Sequence, residues 1–273
     1  MKTKNLLLII LALSLVCLGI YLFVSAPPPL DLNSNKEKKH YSIEEGLKIL
    51  SNFNDGARTF YTKQIVGKGL AVGLDFHEDW EKENVEAGPL PALFLRGTAS
   101  YLEKSPVPLG LYLGSDYPIV KANLFEGMQA EKFKEMRKDK KPKFFYDADT
   151  ERYIGMFPDF AGAQACVTCH NEHKNTPKDN WNLNDLMGAT TWSYPTDSLS
   201  TDELMAMIDV YKKGVSNTYD SYLKEIETFN QKEKPYVGKF WPVDGYYIPS
   251  LEVFNDTLSK LSSEAILKGL LKE

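Results

Sequence analysis

The sequence predicts an α+β fold in which helices surround a small antiparallel sheet. Two long segments, 43–65 and 200–229, carry apolar residues at spacings of three and four, the pattern of amphipathic helices. An uncharged segment at 6–24 predicts a further helix before them. Short stretches rich in aromatic and β-branched residues, bounded by polar turns, predict antiparallel strands. The strands are expected at 109–113, 143–146, 152–157 and 187–194.

The N-terminal segment 6–24 follows two lysines and has no charged residue over 19 positions. Its length is that of a transmembrane helix, and the lysines predict a cytoplasmic N-terminus. Cleavage after Ala26 is an alternative that Pro27 disfavours, and lipid modification of Cys17 is another. Residues 1–26 are therefore predicted to be a membrane anchor or signal segment. The rest of the chain is expected on the periplasmic or extracytoplasmic side of the inner (cytoplasmic) membrane.

Residues 27–41 begin with three prolines and continue with charged side chains, which predicts an extended, solvated linker. Ser42 and Glu45 follow as a capping box and open the helix predicted at 43–65. Two glycines are expected to end this helix, Gly67 and Gly69. Shorter helices are expected around the sheet at 93–102 and 123–138.

The C-terminal extension, 197–273, has a different pattern from the α+β domain predicted at 42–196. Ser200 and Glu203 form a second capping box before a helix of about 30 residues, and another helix is expected from about residue 250. Together they predict a helical hairpin. It packs either against the preceding domain or against a partner, such as a second copy of this chain.

The charge and motif content exclude several function classes. Without the two N-terminal lysines the chain has 30 Lys and Arg against 37 Asp and Glu, a formal charge of −7, which argues against nucleic-acid binding. The sequence contains no Ser-His-Asp order, no phosphate-binding glycine loop and no His-x-x-x-His spacing. No enzyme activity is therefore assigned, and an enzymatic role remains the weakest alternative.

The pentapeptide Cys166-Val167-Thr168-Cys169-His170 is the attachment pattern of a c-type haem. Two thiols three positions apart add to the two vinyl groups of one porphyrin, and the next histidine reaches the iron. We therefore expect one covalent haem c on Cys166 and Cys169, with His170 as the proximal iron ligand. The alternatives are a dithiol redox site, a disulfide, or a zinc site that also uses His173.

The ligand on the other side of the iron decides what such a haem does. Six protein ligands favour electron transfer or redox sensing, whereas an open position binds a diatomic gas. Candidates are His77, which is otherwise a surface histidine beside acidic residues, and Met187, which is otherwise a core residue.

Several motifs around the pentapeptide resemble a known family. They are Ser115-Asp116-Tyr117-Pro118-Ile119, Phe157-Pro158-Asp159-Phe160-Ala161, the Cys-x-x-Cys-His-Asn block, Trp181 and Gly188. The resemblance, over about 42–195, is to exported c-type haem domains with a PAS-like fold, catalogued as a domain of unknown function. It implies a PAS-like sheet, haem on Cys166 and Cys169, and a sensory role. The chain departs from the family at Met187, where arginine is common, at Asn180, where an acidic residue often stands, and in having no cysteine in its first exported helix.

The sequence thus predicts a membrane-anchored, extracytoplasmic monohaem cytochrome. We expect it to sense redox state or a small gas and to signal through its helical tail to a separate protein partner. The alternative is a monohaem electron-transfer cytochrome c, although such a carrier needs far fewer residues to enclose one haem.

Overall fold

A computed structural model describes residues 2–25, 39–230, 234–241 and 247–271. The chain divides into two units, Met1–Lys38 and Lys39–Glu273. The described residues of the first unit form one helix, α1, over Lys2–Val24, and its side chains are described from residue 11 onward. Within the described residues, no helix combines the length and apolarity that a membrane crossing requires. Most of the predicted linker at 27–41 lies outside the described residues, and the transmembrane segment stays a prediction.

The second unit is a mixed α+β structure, as the sequence predicts. Its helices are α2 Ile43–Thr59, α3 Gly67–Ala71, α4 Pro91–Glu103, α5 Gly127–Asp139, α6 Gln164–Glu172, α7 Thr201–Thr228 and α8 Leu251–Leu271. Its strands are β1 His40–Ser42, β2 Phe76–His77, β3 Gly88–Pro89, β4 Gly110–Gly114, β5 Lys143–Asp147, β6 Arg152–Phe160, β7 Leu186–Tyr194, β8 Ser198–Ser200, β9 Val237–Gly238 and β10 Ile248–Pro249. Three short strand pairs are separate from the main sheet: β1 with β8, β2 with β3, and β9 with β10.

The main sheet has four antiparallel strands in the order β4-β7-β6-β5. Trp192 of β7 is fully buried and lies opposite Leu111 of β4 and Gly155 of β6, so one sheet face packs on the core. The pairing of β6 with β7 is regular to Asp159 opposite Gly188 and then shifts. This shift is a β-bulge at the end of the sheet that leads into α6.

The first predicted helix begins as expected, because Ser42 and Glu45 form both bonds of a capping box. The prediction that Gly67 and Gly69 end it is wrong. The helix widens into a π-helical segment over Phe60–Val66, and α3 then continues through both glycines. A Cβ on Gly69 would lie 2.9 Å from the Phe76 ring, so this glycine permits close packing rather than a helix stop.

The region before β5 also differs from the prediction. The expected helix at 123–138 starts later, because a 3₁₀ turn occupies Lys121–Asn123 and α5 begins only at Gly127, where φ is +51°. A glycine tolerates this backbone angle, and the chain turns there into the helix.

The C-terminal helices pack into the same core as the first exported helix. α7 packs along α4, and α8 packs along α2. The buried Asn54 of α2 accepts a hydrogen bond of 2.9 Å from the Tyr211 hydroxyl of α7, and Tyr219 stacks on Phe254 of α8 at 3.8 Å between ring centroids. The extension predicted at 197–273 is therefore joined to the α+β domain by shared packing.

Candidate functional site

Helix α6 carries the Cys-x-x-Cys-His motif between two strands of the main sheet. Cys166 and Cys169 are free thiols, the first half-buried and the second exposed. Residues three apart lie on neighbouring turns of one helix face, so both sulfurs are presented on the same side of α6. Val167, between them, is buried and anchors the helix to the protein.

The loop after α6 is clamped to the helix by Asn171. Its Oδ1 accepts a hydrogen bond of 2.8 Å from the backbone N–H of Trp181, and its Nδ2 donates one of 3.0 Å to the Trp181 carbonyl. The Thr176 hydroxyl donates to the His170 carbonyl at 2.6 Å. Residues 173–181 are thus folded back beside the histidine of the motif.

The Trp181 side chain packs this loop against the segment 115–117. Its ring is only 4 % exposed, meets the Tyr117 ring edge-on, and lies under the Lys178 ammonium at 4.0 Å. Its Nε1 is buried and has no acceptor among the described residues. An indole N–H in this position is normally paired, so an acceptor from a bound group would remove an unfavourable contact.

Two further contacts hold these motif residues together. The Ser115 hydroxyl donates to the Met187 carbonyl at 2.5 Å, which joins the end of β4 to the bulge. Asp116 accepts two hydrogen bonds from Arg137 of α5, one from Nε at 2.7 Å. The separate motifs of the resemblance therefore meet around one end of the sheet.

The imidazole of His170 is half-buried. Burial lowers its pKa below the ordinary value, while the nearby Asp159 carboxylate opposes part of this effect. A lowered pKa keeps the ring neutral at pH 7, which is the form that binds a metal. Asp159 itself forms an ion pair of 3.0 Å with Arg58 of α2, and Arg58 also donates to the Thr190 hydroxyl.

The C-terminal end of α6 contacts the segment that follows β2 through His173 and Glu78. The Nε2 of His173 lies 3.2 Å from the Glu78 carboxylate. The same carboxylate is near enough to Cys169 to raise the pKa of its thiol, in addition to the larger effect of partial burial. Glu78 therefore brings the β2 segment, which was predicted to hold a distal ligand, to the motif helix.

The two predicted distal-ligand candidates lie in different surroundings. His77 is exposed on β2, and its Nδ1 accepts a hydrogen bond of 3.1 Å from the Asp79 N–H. Met187 is half-buried and has no partner in β6, because Asp159 pairs with Gly188 and Phe160 with Leu186. Met187 is thus the extra residue of the bulge. Whether either residue ligates an iron stays a prediction.

The local fold does not favour the dithiol and zinc alternatives. The strands on either side of α6 are antiparallel neighbours, whereas a Cys-x-x-Cys redox site usually belongs to a βαβ unit with parallel strands. A reactive dithiol also needs a lowered thiol pKa, but that of Cys169 is raised. Within the described residues, no group of three or more His, Cys, Asp or Glu side chains is arranged to hold a metal ion.

The residues around α6 fit a porphyrin in three respects. They supply two thiols on one helix face, a neutral imidazole beside them and an unpaired buried indole N–H. The adjoining segments also expose large apolar side chains, a surface that an apolar group of porphyrin size would cover. These side chains are Tyr117, Phe160 and Leu183. No residue of α6 lines either of the two cavities of about 690 and 400 Å³ found among the described residues.

Comparison with known proteins supports part of the resemblance. Residues 111–195, which run from β4 into the end of β7 and include α6, match the model of a family described as Tll0287-like (Tll0287). This match supports a domain of a family of unknown function in that part of the chain. No curated protein and no solved structure matches the chain. Haem binding and a PAS-like form stay predictions.

Sequence reasoning missed two polar contacts of the site, Arg58 with Asp159 and Glu78 with His173. A signal for the first was present, because Arg58 follows Asn54 by four positions and therefore extends a polar row along the mostly apolar face of α2. For the second pair the only hint was the acidic character of residues 75–79.

Proposed function

We propose that this protein is an extracytoplasmic monohaem c-type cytochrome, held at the membrane by residues 6–24, that senses redox state or a small gas. The observation that carries the proposal is the Cys-x-x-Cys-His motif on one face of α6, inside the Tll0287-like region. The antiparallel sheet and its surrounding helices are compatible with the PAS-like form that the resemblance implies.

The protein's own residues would hold the haem in defined ways. Cys166 and Cys169 would form thioether bonds, and His170 would supply its imidazole nitrogen to the iron. Asn171 and Thr176 would fix the loop beside His170 through their backbone contacts. When bound, the haem supplies one-electron chemistry or an iron site for a diatomic gas.

A sensory role is supported by the way the motif helix is joined to the rest of the unit. Glu78 links α6 to the β2 segment, and Phe76 in that segment lies against Tyr222 of α7, at 6.1 Å between ring centroids. A change at α6 therefore has a short physical connection to the C-terminal helices. These helices would pass the change to a protein partner or within a homodimer.

Electron transfer is the second candidate. The specific observation in its favour is that Cys169 is exposed, because a haem attached there would have an edge near solvent. Electron exchange with another protein needs such an exposed edge, whereas gas sensing does not.

The test is to express the full-length chain in cells that attach c-type haem and to extract the denatured protein with acidified acetone. We expect the pigment to stay with the polypeptide and the mass to rise by one haem. The Cys166→Ala/Cys169→Ala double variant is expected to lose both, while Cys17→Ala, the matched control, retains them. Pigment that is fully extracted from the unmodified chain would refute haem attachment.

The absorption spectrum then separates the two roles. A reduced spectrum that changes with CO favours gas sensing, and an unchanged six-coordinate spectrum favours electron transfer or redox sensing. His77→Ala and Met187→Leu test the distal ligand, and loss of six-coordination in one variant identifies it. Unchanged spectra in both variants would exclude both residues.

A further inference from the structure

A cavity of about 690 Å³ among the described residues lies away from α6. It is bounded by the chain after α3, the segment before β3, the end of α7 and the segment before β10. Its volume is typical of a site for a small organic ligand. No residue of the Cys-x-x-Cys-His helix lines it, and nothing argued above assigns it a role.

The described residues in the wall of this cavity carry an excess of negative charge. Of the described residues that line it, Asp75 and Glu86 are acidic and Lys234 is basic. The Lys234 ammonium donates to the Glu227 carbonyl at 3.3 Å, so part of its hydrogen-bonding capacity is already used. A single positive charge in the cavity would balance the charges of these described lining residues.

Glu86 has an incompletely satisfied carboxylate. Its Oε1 accepts a hydrogen bond of 2.8 Å from the Asn230 N–H, which fixes the side chain against the end of α7. Its Oε2 is buried and has no donor among the described residues. A half-paired carboxylate with little access to water is strongly attracted to a cation, because water does not screen its charge fully.

Three aromatic rings complete the wall, Tyr222, Phe229 and Tyr247. Tyr222 is 1 % exposed and is held in place by its edge-on contact with Trp80. Tyr247 is 42 % exposed and lies toward the opening. Aromatic rings beside carboxylates are the combination that recognises organic ammonium ions, through the ring faces and through charge.

We propose that this cavity binds a small organic ammonium ion that carries an apolar substituent. The ammonium group is held beside Asp75 and Glu86, and the substituent packs against Phe229 and Tyr247, behind which the buried Tyr222 closes the wall. An inorganic cation would not use the aromatic wall, and an anionic ligand would meet the two carboxylates. The proposal does not depend on haem attachment.

The test uses three probes of nearly equal shape and different charge: phenethylammonium, 2-phenylethanol and phenylacetate. They are titrated calorimetrically into the full-length chain in a nonionic detergent, with detergent alone as the blank. We expect phenethylammonium to bind with a Kd of about 1 mM or lower, the neutral alcohol to bind at least about ten-fold more weakly, and the anion not to bind. No binding of the cation, or equal binding of all three probes, would overturn the proposal.

Variants locate the site. Glu86→Gln keeps the acceptor for the Asn230 N–H but removes the charge, and is expected to weaken phenethylammonium binding about ten-fold. Glu83→Gln, an exposed neighbour that does not line the cavity, is the matched control and should leave the affinity unchanged. Because Glu86→Gln also alters a contact with α7, Tyr247→Ala provides a second variant at the exposed opening. Unchanged affinity in folded Glu86→Gln or in Tyr247→Ala would place the cation elsewhere and overturn the proposal.

Discussion

Asn171 is expected to be a main determinant of stability at the candidate site. Asn171→Ala removes two hydrogen bonds, of 2.8 and 3.0 Å, from the backbone of Trp181, a residue that is almost fully buried. Since each such bond contributes about 0.5–1.5 kcal/mol net, the free energy of unfolding should fall by about 1–3 kcal/mol. For a chain of this size that corresponds to a Tm lower by roughly 4–8 °C at the middle of the range.

The assay is urea unfolding of the full-length chain, followed by circular dichroism at 222 nm and by tryptophan fluorescence. Asn171→Asp separates the two bonds, because it keeps the acceptor for the Trp181 N–H and loses the donor to the carbonyl. Its stability should lie between those of Asn171→Ala and the unmodified chain. Asn175→Ala is the control, since this exposed amide in the same loop makes no side-chain hydrogen bond with the described residues. If Asn171→Ala and Asn175→Ala differ by less than about 0.5 kcal/mol, the clamp does not stabilise the loop.

Two further predictions concern the scaffold. The backbone N–H and the hydroxyl of Ser200 donate hydrogen bonds of 2.8 and 2.7 Å to the Glu203 carboxylate, and these bonds lower its pKa. The ionised Glu203 carboxylate therefore stabilises the fold above about pH 4.5, and this stabilisation is lost as the pH falls through the folded-state pKa. Glu203→Gln should therefore be less stable than the unmodified chain at pH 7 and approach it near pH 2 in urea unfolding, and a difference that is constant with pH would contradict this. Gly97→Ala would bring a Cβ to 2.7 Å from Thr218 between α4 and α7, and we expect a loss of about 1–3 kcal/mol in the same assay despite the better helix propensity of alanine. Ser100→Ala, on the exposed face of α4, should change stability by less than about 0.5 kcal/mol, and an equal effect of both variants would show that the helices separate easily.

Local signals predicted the four strands of the main sheet and the starts of the two capped helices. Both capping boxes are present, at Ser42 and Ser200, and the expected strands are within one residue of their observed starts. These features depend on residues close in sequence, which is why periodicity and turn chemistry reveal them. Helix ends were less predictable where tertiary packing decides them. Gly69 illustrates this, because the adjacent Phe76 ring and not the glycine's own flexibility determines its role.

The candidate site was only partly predictable for the same physical reason. The motif helix and its asparagine clamp are local, since Asn171 and Trp181 are ten positions apart. The contacts of Arg58 with Asp159 and of His173 with Glu78 join residues 101 and 95 positions apart. The first contact forms because α2 packs on the face of the sheet that carries Asp159, and the second because the segment after β2 runs past the end of α6. No local sequence pattern encodes either arrangement. Since these two distant contacts set the charge around His170 and Cys169, the electrostatics of the motif is a property of the assembled fold and not of the pentapeptide alone.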